Sequence, residues 1–288
     1  MCCSCHRSFS WSTGRSHYQR QFVWFRRWLT EGYTIRQLVW HSGHSRATIQ
    51  RILQYWLEHP PEPCRLKMNS RYVIFDGTFL HRRRGMYVVM DGVSHRVIHG
   101  AYGINEGPRD LRLFCQALKE QGLEPKSATM DGNPYIFRTV QLLWPKIIIQ
   151  RCLVHIARQG LSWCRLHPKR TDAQHLRRIF LMVLQIHSQS QRQEFQQRLD
   201  QWNNKYGLHL ARIPYRGWVT SDLQRAQSML INALPYMFSY LHDESIPRST
   251  NALEGYFSRL KLRYRQHRGL STRHRLNYFR WYFHLAPR

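Results

Sequence analysis

The segment RYVIFDGTFLHRRRGMYVVMDGVSHRVIHGAYGI (71–104) decides the fold class. It contains three apolar runs, 71–80, 85–93 and 96–104, which are separated by short polar stretches. Apolar runs of this length, bounded by glycine and polar residues, are typical of β-strands joined by short turns. The segment therefore predicts three consecutive strands, with Asp91-Gly92 in the turn that follows the second one.

Helices and strands alternate after this segment. A helix (110–121), a short strand (127–131), a helix (134–144), a strand (146–150) and a further helix (from 151) follow in that order. Hairpins followed by β-α-β alternation imply an α/β fold, with helices packed on a mixed sheet. From about 163 to 245 the chain is helix-forming, with a strand signal only near Val219, which predicts a large helical insertion.

Three helices are predicted before the sheet. A helix from about His17 to Glu31 ends at Gly32, a second runs from Thr34 to His41, and a third begins near Ser45 after a Ser-Gly-His turn. This pattern favours a helix-turn-helix over 34–57, with an ordinary helical hairpin as the alternative. The second helix of that motif enters the major groove, so we expect its polar residues to contact DNA. These residues are Arg46, Thr48, Gln50 and Arg51.

The charge balance indicates a polyanionic partner. The chain of 288 residues has 44 Lys+Arg and 17 Asp+Glu, a formal net charge of +27. Lysine and arginine that neutralise DNA phosphates release counterions, so duplex DNA is the expected partner. No run of about 18 apolar residues and no signal peptide occur, so we expect no membrane contact. A cytoplasmic location, nucleoid-associated in a prokaryote, is therefore expected.

Two aspartates stand out because each follows an apolar strand. Asp76 follows Tyr72–Phe75, and Asp131 follows Ala128–Met130. Neighbouring strands bring such residues to one edge of a sheet, where carboxylates repel unless a cation lies between them. Hard divalent cations, Mg²⁺ or Mn²⁺, match these oxygen ligands, and two such ions suit phosphodiester cleavage. Asp-Gly is also a common hairpin-turn dipeptide, but the chain stays apolar after Asp76 (Phe79-Leu80), which suits a mid-strand aspartate better than a turn.

A site with two ions needs a third acid. Glu254 is expected one turn inside a helix over about 250–265, beside its buried face. The alternative for Glu254 is a surface acid favoured by the helix dipole. Asp243 and Glu244 are rival ligands in a loop before Pro247, and loops hold ligands less firmly. Arg259 and Lys261 follow Glu254 on the same helix, where they would meet DNA phosphates.

Four motifs carry a family resemblance. They are FDGTFL around Asp76, TMDGNPY around Asp131, QRCLVHIARQ with Cys152 and His155, and IPRSTNALEGYFSRLK around Glu254. With them the chain resembles the bacterial Mutator-like DDE transposases of insertion sequences, in the variant form that begins with a zinc-binding segment. The resemblance covers the chain from about Arg71 to the C-terminus.

The resemblance implies an RNase H-like catalytic fold in which Asp76, Asp131 and Glu254 bind two Mg²⁺ ions. It implies hydrolysis at the element ends and transfer of the freed 3′-OH into target DNA, by a homodimer or higher oligomer on DNA. The predicted organisation is a partial zinc ribbon (1–15), a helix-turn-helix (16–58), a linker (59–70) and a catalytic domain (71–288) with the insertion at about 163–245.

Two cysteine motifs have weaker metal signals. Cys152 and His155 share one helix face, and we favour a role in supporting the active site over metal binding, because two ligands do not make a zinc site. Cys2 and Cys5 resemble the second half of a zinc ribbon, whose first pair is missing. Cys3 and His6 have poor spacing as substitutes. We expect either an upstream Cys-x-x-Cys or a remnant that holds no Zn²⁺ alone.

Two other functions remain alternatives. A helix-turn-helix regulator, or a transposase relic without activity, would bind DNA without needing three acids. An RNase H-like nuclease acting on RNA or branched DNA would have no use for a helix-turn-helix, because A-form RNA hides its major groove.

Overall fold

A mixed five-stranded sheet lies at the centre of the region that the sequence predicts as α/β. The structure, a computed structural model, describes residues 14–62, 70–81, 84–212, 218–267 and 269–286. The strands are β1 (Tyr72–His81), β2 (Arg84–Asp91), β3 (Val97–Ile104), β4 (Ser127–Met130) and β5 (Ile148–Arg151). Their order in the sheet is β3-β2-β1-β4-β5, which confirms the mixed α/β prediction.

The long β1–β2 hairpin forms because both strands are apolar along their length. The strands pair antiparallel from Val73↔Asp91 to His81↔Arg84, with an irregularity near Phe79. The Asp91 carboxylate accepts hydrogen bonds from the backbone N–H and the hydroxyl of Ser94, both at 2.7 Å. Asp91 therefore closes a turn, as the sequence predicts.

Strands β4 and β5 run parallel to β1 and are therefore reached through helical crossovers. β4 pairs with β1, and β5 pairs with β4, both in parallel. The connecting helices are α5 (Pro108–Glu120) and α6 (Pro134–Leu143), and α7 (Leu153–Cys164) follows β5. Ser127–Met130 is buried along its whole length, as expected of a strand with neighbours on both sides.

The described residues of the insertion form helices joined by short loops, with no strand among them. It contains α8 (Thr171–Met182), α9 (Gln189–Trp202), α10 (Leu208–Arg212) and α11 (Trp218–Ala233), with 3₁₀ turns at Val183–Gln185, Leu234–Tyr236 and Ser239–Leu241 and a π-turn at Asn203–Gly207. The strand signal near Val219 is wrong, because this residue lies in α11. One apolar cluster joins these helices to α7, including Leu176, Phe180, Phe195 and Leu223.

The helices before the sheet begin and end close to their predicted bounds. They are α1 (Gly14–Arg20), α2 (Phe22–Arg26), a π-turn (Arg27–Glu31), α3 (Ile35–Ser42) and α4 (Arg46–Glu58). The single helix predicted over 17–31 is interrupted at Gln21, whose N–H bonds to the carbonyl of Tyr18. Gly32 ends the π-turn with a left-handed φ of 75°, and Thr34 forms a capping box with Gln37.

Two further helices complete the chain, α12 (Asn251–Arg265) and α13 (Thr272–Leu285). Contacts divide the described residues into two compact units. The terminal unit comprises described residues of Met1–Arg65, Gly100–Gly103 and Tyr256–Arg288, and the sheet unit comprises those of Leu66–His99 and Ile104–Gly255. No helix in the described ranges is long and apolar enough to span a membrane.

Inside the terminal unit, α13 packs against the N-terminal helices. Asn277 donates a hydrogen bond to the carbonyl of Leu57 at 2.7 Å, and the Trp281 indole donates to the carbonyl of Trp56 at 2.7 Å. The Trp281 ring also lies 5.4 Å from the ring of Phe25. The predicted domain boundaries did not anticipate this grouping of the two chain ends.

Candidate functional site: an acid cluster at the β1–β4 edge

Sheet register brings the two predicted aspartates together. Asp76 lies in the middle of β1, opposite Val88 of β2, and Asp131 directly follows β4. The parallel pairing of β1 with β4 ends at Ile74↔Thr129. Continuing this register by two residues from Ile74 and Thr129 places Asp76 beside Asp131. A mid-strand position also means that Asp76 is not a hairpin-turn residue.

Asp76 is a buried carboxylate in an environment that disfavours its charge. Its exposed fraction is 7%. Its pKa is raised to about 7, mainly by burial; negative charge on Asp131 and on Glu254 also raises the pKa, while positive charge on His155 and the N–H of Gly77 lower it. The negative charges of Asp131 and Glu254 therefore act on Asp76, although Glu254 lies 178 positions further along the chain.

Glu254 lies in the first turn of α12 and is engaged by two cationic groups of α7. The two terminal nitrogens of Arg158 each lie 3.3 Å from one carboxylate oxygen of Glu254. Nε2 of His155 lies 3.7 Å from Oε1. Glu254 is one-third exposed and Arg158 is 62% exposed, so this pair stands at the surface of the site.

The rival acid Asp243 has a different role. Its carboxylate accepts hydrogen bonds from Lys126 at 2.5 Å and from the Tyr72 hydroxyl at 2.8 Å. These two bonds lower the pKa of Asp243 to about 2. Asp243 thus forms an ion pair with Lys126 in the sheet unit. Of the two rival acids, Glu254 is the one whose negative charge raises the pKa of Asp76.

Cys152 and His155 join the start of α7 to the segment that leads into α12. The buried sulfur of Cys152 accepts a hydrogen bond from the N–H of Thr250 at 3.3 Å, and Leu153 N–H bonds to the carbonyl of Arg248. The hydrogen bond between Cys152 and His155 raises the histidine pKa to about 9. His155 therefore carries positive charge at neutral pH beside Asp76 and Asp131.

Two charged residues near the acids were not found by sequence reasoning. The guanidinium of Arg151 packs on Gly132, where an added methyl group would come within 2.3 Å of it. Burial lowers the pKa of Arg151, while the negative charge of Asp131 opposes that shift. Glu106 approaches Gly77 in the same way. Neither carries a sequence signal, because Arg151 is the last residue of β5 and Glu106 precedes the start of a helix.

The donor set fits a hard divalent cation in its chemistry. Carboxylate oxygens are the ligands that Mg²⁺ and Mn²⁺ prefer, and the pKa of Asp76 is raised by burial and, to a smaller extent, by the negative charges of Asp131 and Glu254. Among the described residues, no three His, Cys, Asp or Glu side chains stand close enough to chelate an ion as they are arranged. Chelation would require Glu254 to exchange Arg158 for the cation.

The predicted DNA-contacting residues lie on two helices. Arg46, Gln50 and Arg51 are exposed on the N-terminal half of α4. Thr48 is half-buried, and its hydroxyl lies 3.0 Å from the hydroxyl of the N-cap Ser45. Thr48 therefore helps to cap α4 and presents less surface than its neighbours.

The remaining predicted basic residues are on α12. Arg259 is exposed and Lys261 is half-buried, one and two turns after Glu254. Cys2 and Cys5, the predicted zinc ligands, lie outside the described residues.

Comparison with known proteins agrees with the motifs. The profile of the family described as "Transposase, Mutator family" matches residues 65–272, which is well over half of the chain. The matched range contains Asp76, Asp131 and Glu254, the sheet and the helical insertion. No curated protein sequence matches the chain.

Proposed function

Because the chain belongs to the Mutator family of transposases, we propose that it binds the terminal inverted repeats of its element and cuts and joins their strands with divalent cations. The observation that carries this proposal is that the negative charges of Asp131 and Glu254 act on the buried carboxylate of Asp76, which follows from the sheet register that brings Asp131 beside it. A buried carboxylate that meets further negative charge, in a chain with few acids, is expected where a cation is to bind.

In this proposal the three carboxylates hold the ions. When bound, Mg²⁺ would activate the attacking water or 3′-OH and stabilise the leaving oxygen. The role of Cys152 and His155 is positioning, because they connect the start of α7 to the segment before Glu254. The strand order, with β2 antiparallel and β4 and β5 parallel to β1, supports the RNase H-like fold that the family resemblance implies.

The catalytic assignment is tested with Asp131→Asn. A plasmid carrying the element ends, incubated with the full chain and Mg²⁺, is expected to be nicked or cut by the parent. The variant should bind the ends and leave them intact, because it loses a charged ligand of the cation. Asp200→Asn, an exposed aspartate on α9, is the matched control and should cut normally.

Cutting by Asp131→Asn at the parental rate would remove the catalytic assignment. If the parent binds the ends but never cuts, the chain acts as a regulator or as an inactive relic. Binding of the element ends and cutting are therefore both measured on the same DNA.

We also propose that α4 reads the element ends. Arg46 and Gln50 are exposed near its N-terminus, the part of a recognition helix that reaches base edges. Gln50→Ala should relax sequence preference and leave the salt dependence unchanged. Arg46→Ala should weaken binding to all sequences and reduce the slope of log K against log salt by about one, as for one lost phosphate contact.

Arg225→Ala, which removes an exposed arginine of α11, is the charge-matched control. If both α4 variants behave like Arg225→Ala in binding assays with specific and random DNA, α4 is not the reading helix. The ordinary helical hairpin is then the better description of α3 and α4.

A further inference from the structure

A basic cavity lies within the helical insertion, between α8, α9 and the π-turn that follows α9. Its volume is about 330 Å³, within the range known for ligand sites. Two of its lining residues, Ile179 and Trp202, are buried and form an apolar floor. Arg178, Arg198 and Lys205 are exposed and form its rim, and none of the described residues that line it is acidic.

Two of these cations differ from other arginines of the insertion in having no carboxylate partner. Arg165 and Arg225 both pair with Asp222, at 3.6 Å and 3.7 Å. In the part of the chain that the structure describes, no acid forms an ion pair with Arg178 or Lys205. Cations that line one concave surface focus a positive potential there, so the cavity attracts an anion.

The aromatic rings of the cavity indicate which kind of anion fits. The Trp202 indole donates a hydrogen bond to the carbonyl of Asp172 at 2.9 Å. The Tyr206 hydroxyl lies 3.3 Å from Nδ1 of His175, and Nζ of Lys205 lies over the Tyr206 ring, 5.3 Å from its centroid. A nucleic-acid base needs an open ring face on which to stack, and these rings are already engaged. The cavity therefore suits a compact anionic group better than a base.

The π-turn Asn203–Gly207 fixes the backbone that carries Lys205. Gly207 is buried, and a methyl group added there would come within 2.6 Å of Nε2 of Gln227 on α11. The same nitrogen donates a hydrogen bond to Oδ1 of Asn203 at 3.1 Å. These contacts hold the turn against α11, so Lys205 is presented to the cavity from a supported position.

We propose that this cavity binds one phosphate of the DNA backbone, with Arg178, Arg198 and Lys205 as the cations around it. Guanidinium and ammonium groups donate strong hydrogen bonds to phosphate oxygens. The net charge of +27 makes DNA, a polyanion, the fitting source of this phosphate. Such a contact positions the duplex on the insertion without reading its sequence. The inference rests on the proposed function, because DNA is the partner proposed there.

The test measures binding of the full chain to a random-sequence duplex at several KCl concentrations, by fluorescence anisotropy. The double variant Arg178→Gln/Lys205→Gln should lower the slope of log K against log salt by about one, as for one lost phosphate contact. Each single variant should lower it by less, and Arg178→Lys should keep the parental slope. Arg165→Gln/Arg225→Gln removes the same charge from the insertion and is the matched control, with an expected slope equal to that of the parent.

The outcomes separate this inference from the proposed function. If the parent binds the duplex and the Arg178→Gln/Lys205→Gln variant has the slope of the control, the cavity does not bind DNA and the proposed function stands. A slope lowered by about two would mean that each cation meets its own phosphate on an open surface, which also overturns the cavity site. If the parent binds no DNA at any salt concentration, both proposals fail. Far-ultraviolet circular dichroism establishes that each variant is folded.

Inorganic phosphate distinguishes a site for the DNA backbone from a site for a free anion. Isothermal titration calorimetry should show binding no tighter than millimolar, because a backbone phosphate gains effective concentration from its link to the rest of the duplex. Micromolar binding of inorganic phosphate that is lost in Arg178→Gln, together with unchanged duplex binding, would assign the cavity to a free anion and overturn the proposal.

Discussion

The aromatic core of the terminal unit and the acid cluster of the sheet unit both contain buried polar groups. They differ in whether those groups have favourable partners within the chain. In the core, Trp281 satisfies its indole N–H on the carbonyl of Trp56 while its ring packs against Phe22 and Phe25. In the acid cluster, Asp76 is equally buried, but Asp131 and Glu254 disfavour its charge. The core therefore stabilises the fold, whereas the cluster costs stability that a bound cation would return.

The largest expected effect is on the free energy of unfolding and concerns the aromatic core of the terminal unit. Trp281→Ala removes a large buried ring and leaves the Trp56 carbonyl without its donor, so the free energy of unfolding should fall by about 4 kcal/mol. Urea denaturation followed by circular dichroism measures this change. Trp40→Ala, at an 86% exposed tryptophan of α3, should change it by less than about 0.5 kcal/mol. Equal effects would show that α13 does not anchor the terminal unit.

A smaller effect of opposite sign is expected in the acid cluster. The pKa of Asp76 is about 7 in the folded chain, whereas an aspartate in an unfolded chain has its ordinary pKa of 3.8. Between these pH values only the folded state keeps the proton, so stability from this group is present below pH 3.8 and is lost as pH rises through 7. Asp76→Asn avoids this loss and should be more stable than the parent by about 3 kcal/mol at about pH 8 without metal.

Urea denaturation between about pH 5 and pH 8 follows the difference between parent and variant, which should grow with pH. Millimolar Mg²⁺ should reduce this difference in stability by stabilising the parent alone.

Asp91→Asn is the control in the same hairpin. Burial raises the pKa of Asp91, but the hydrogen bonds from Ser94 outweigh burial and lower it. Asp91→Asn should therefore destabilise the chain in the same alkaline buffer, and a stabilising effect there would contradict the explanation given for Asp76.

Local sequence signals predicted the elements of both regions well. Asp76 within an apolar run, the caps Thr34 and Ser45, and the left-handed Gly32 each have a physical cause that lies within a few residues. These causes act before any tertiary contact forms, so one sequence is enough to find them. The family motifs then selected Glu254 over Asp243, a choice that the helix pattern alone left open.

Long-range contacts explain what the sequence did not predict. The packing of Trp281 on Trp56 joins residues 225 positions apart, and no periodicity encodes such a partner. Arg158 is one exposed arginine among many until α7 and α12 are brought together. Glu106 precedes Gly107 and Pro108, so it has the pattern of an ordinary acid before a helix start, and only Gly77 reveals its approach.

The smallest expected effect concerns the surface of the acid cluster, where Glu254 is paired with Arg158. Arg158 is 62% exposed, and exposed ion pairs contribute only about 0.2–1 kcal/mol, so Arg158→Gln should leave stability nearly unchanged. Its effect should appear in the binding of Mn²⁺ alone to the full chain, measured by electron paramagnetic resonance of the free ion without DNA. A cation at Glu254 must displace the guanidinium, so removing it should raise Mn²⁺ affinity by about threefold, the equivalent of such a pair.

Arg165→Gln is the matched control, because Arg165 is 54% exposed and pairs with Asp222 at 3.6 Å in the insertion. It removes the same charge from the chain, so any general gain in attraction for Mn²⁺ appears equally in both variants. A gain confined to Arg158→Gln would mean that the arginine occupies the cation's place on Glu254, whereas equal affinities would mean that Glu254 does not exchange it for the ion. Trp281, by contrast, has its hydrogen-bond acceptor, the Trp56 carbonyl, within the chain and needs no ion, and this difference separates a core from a site.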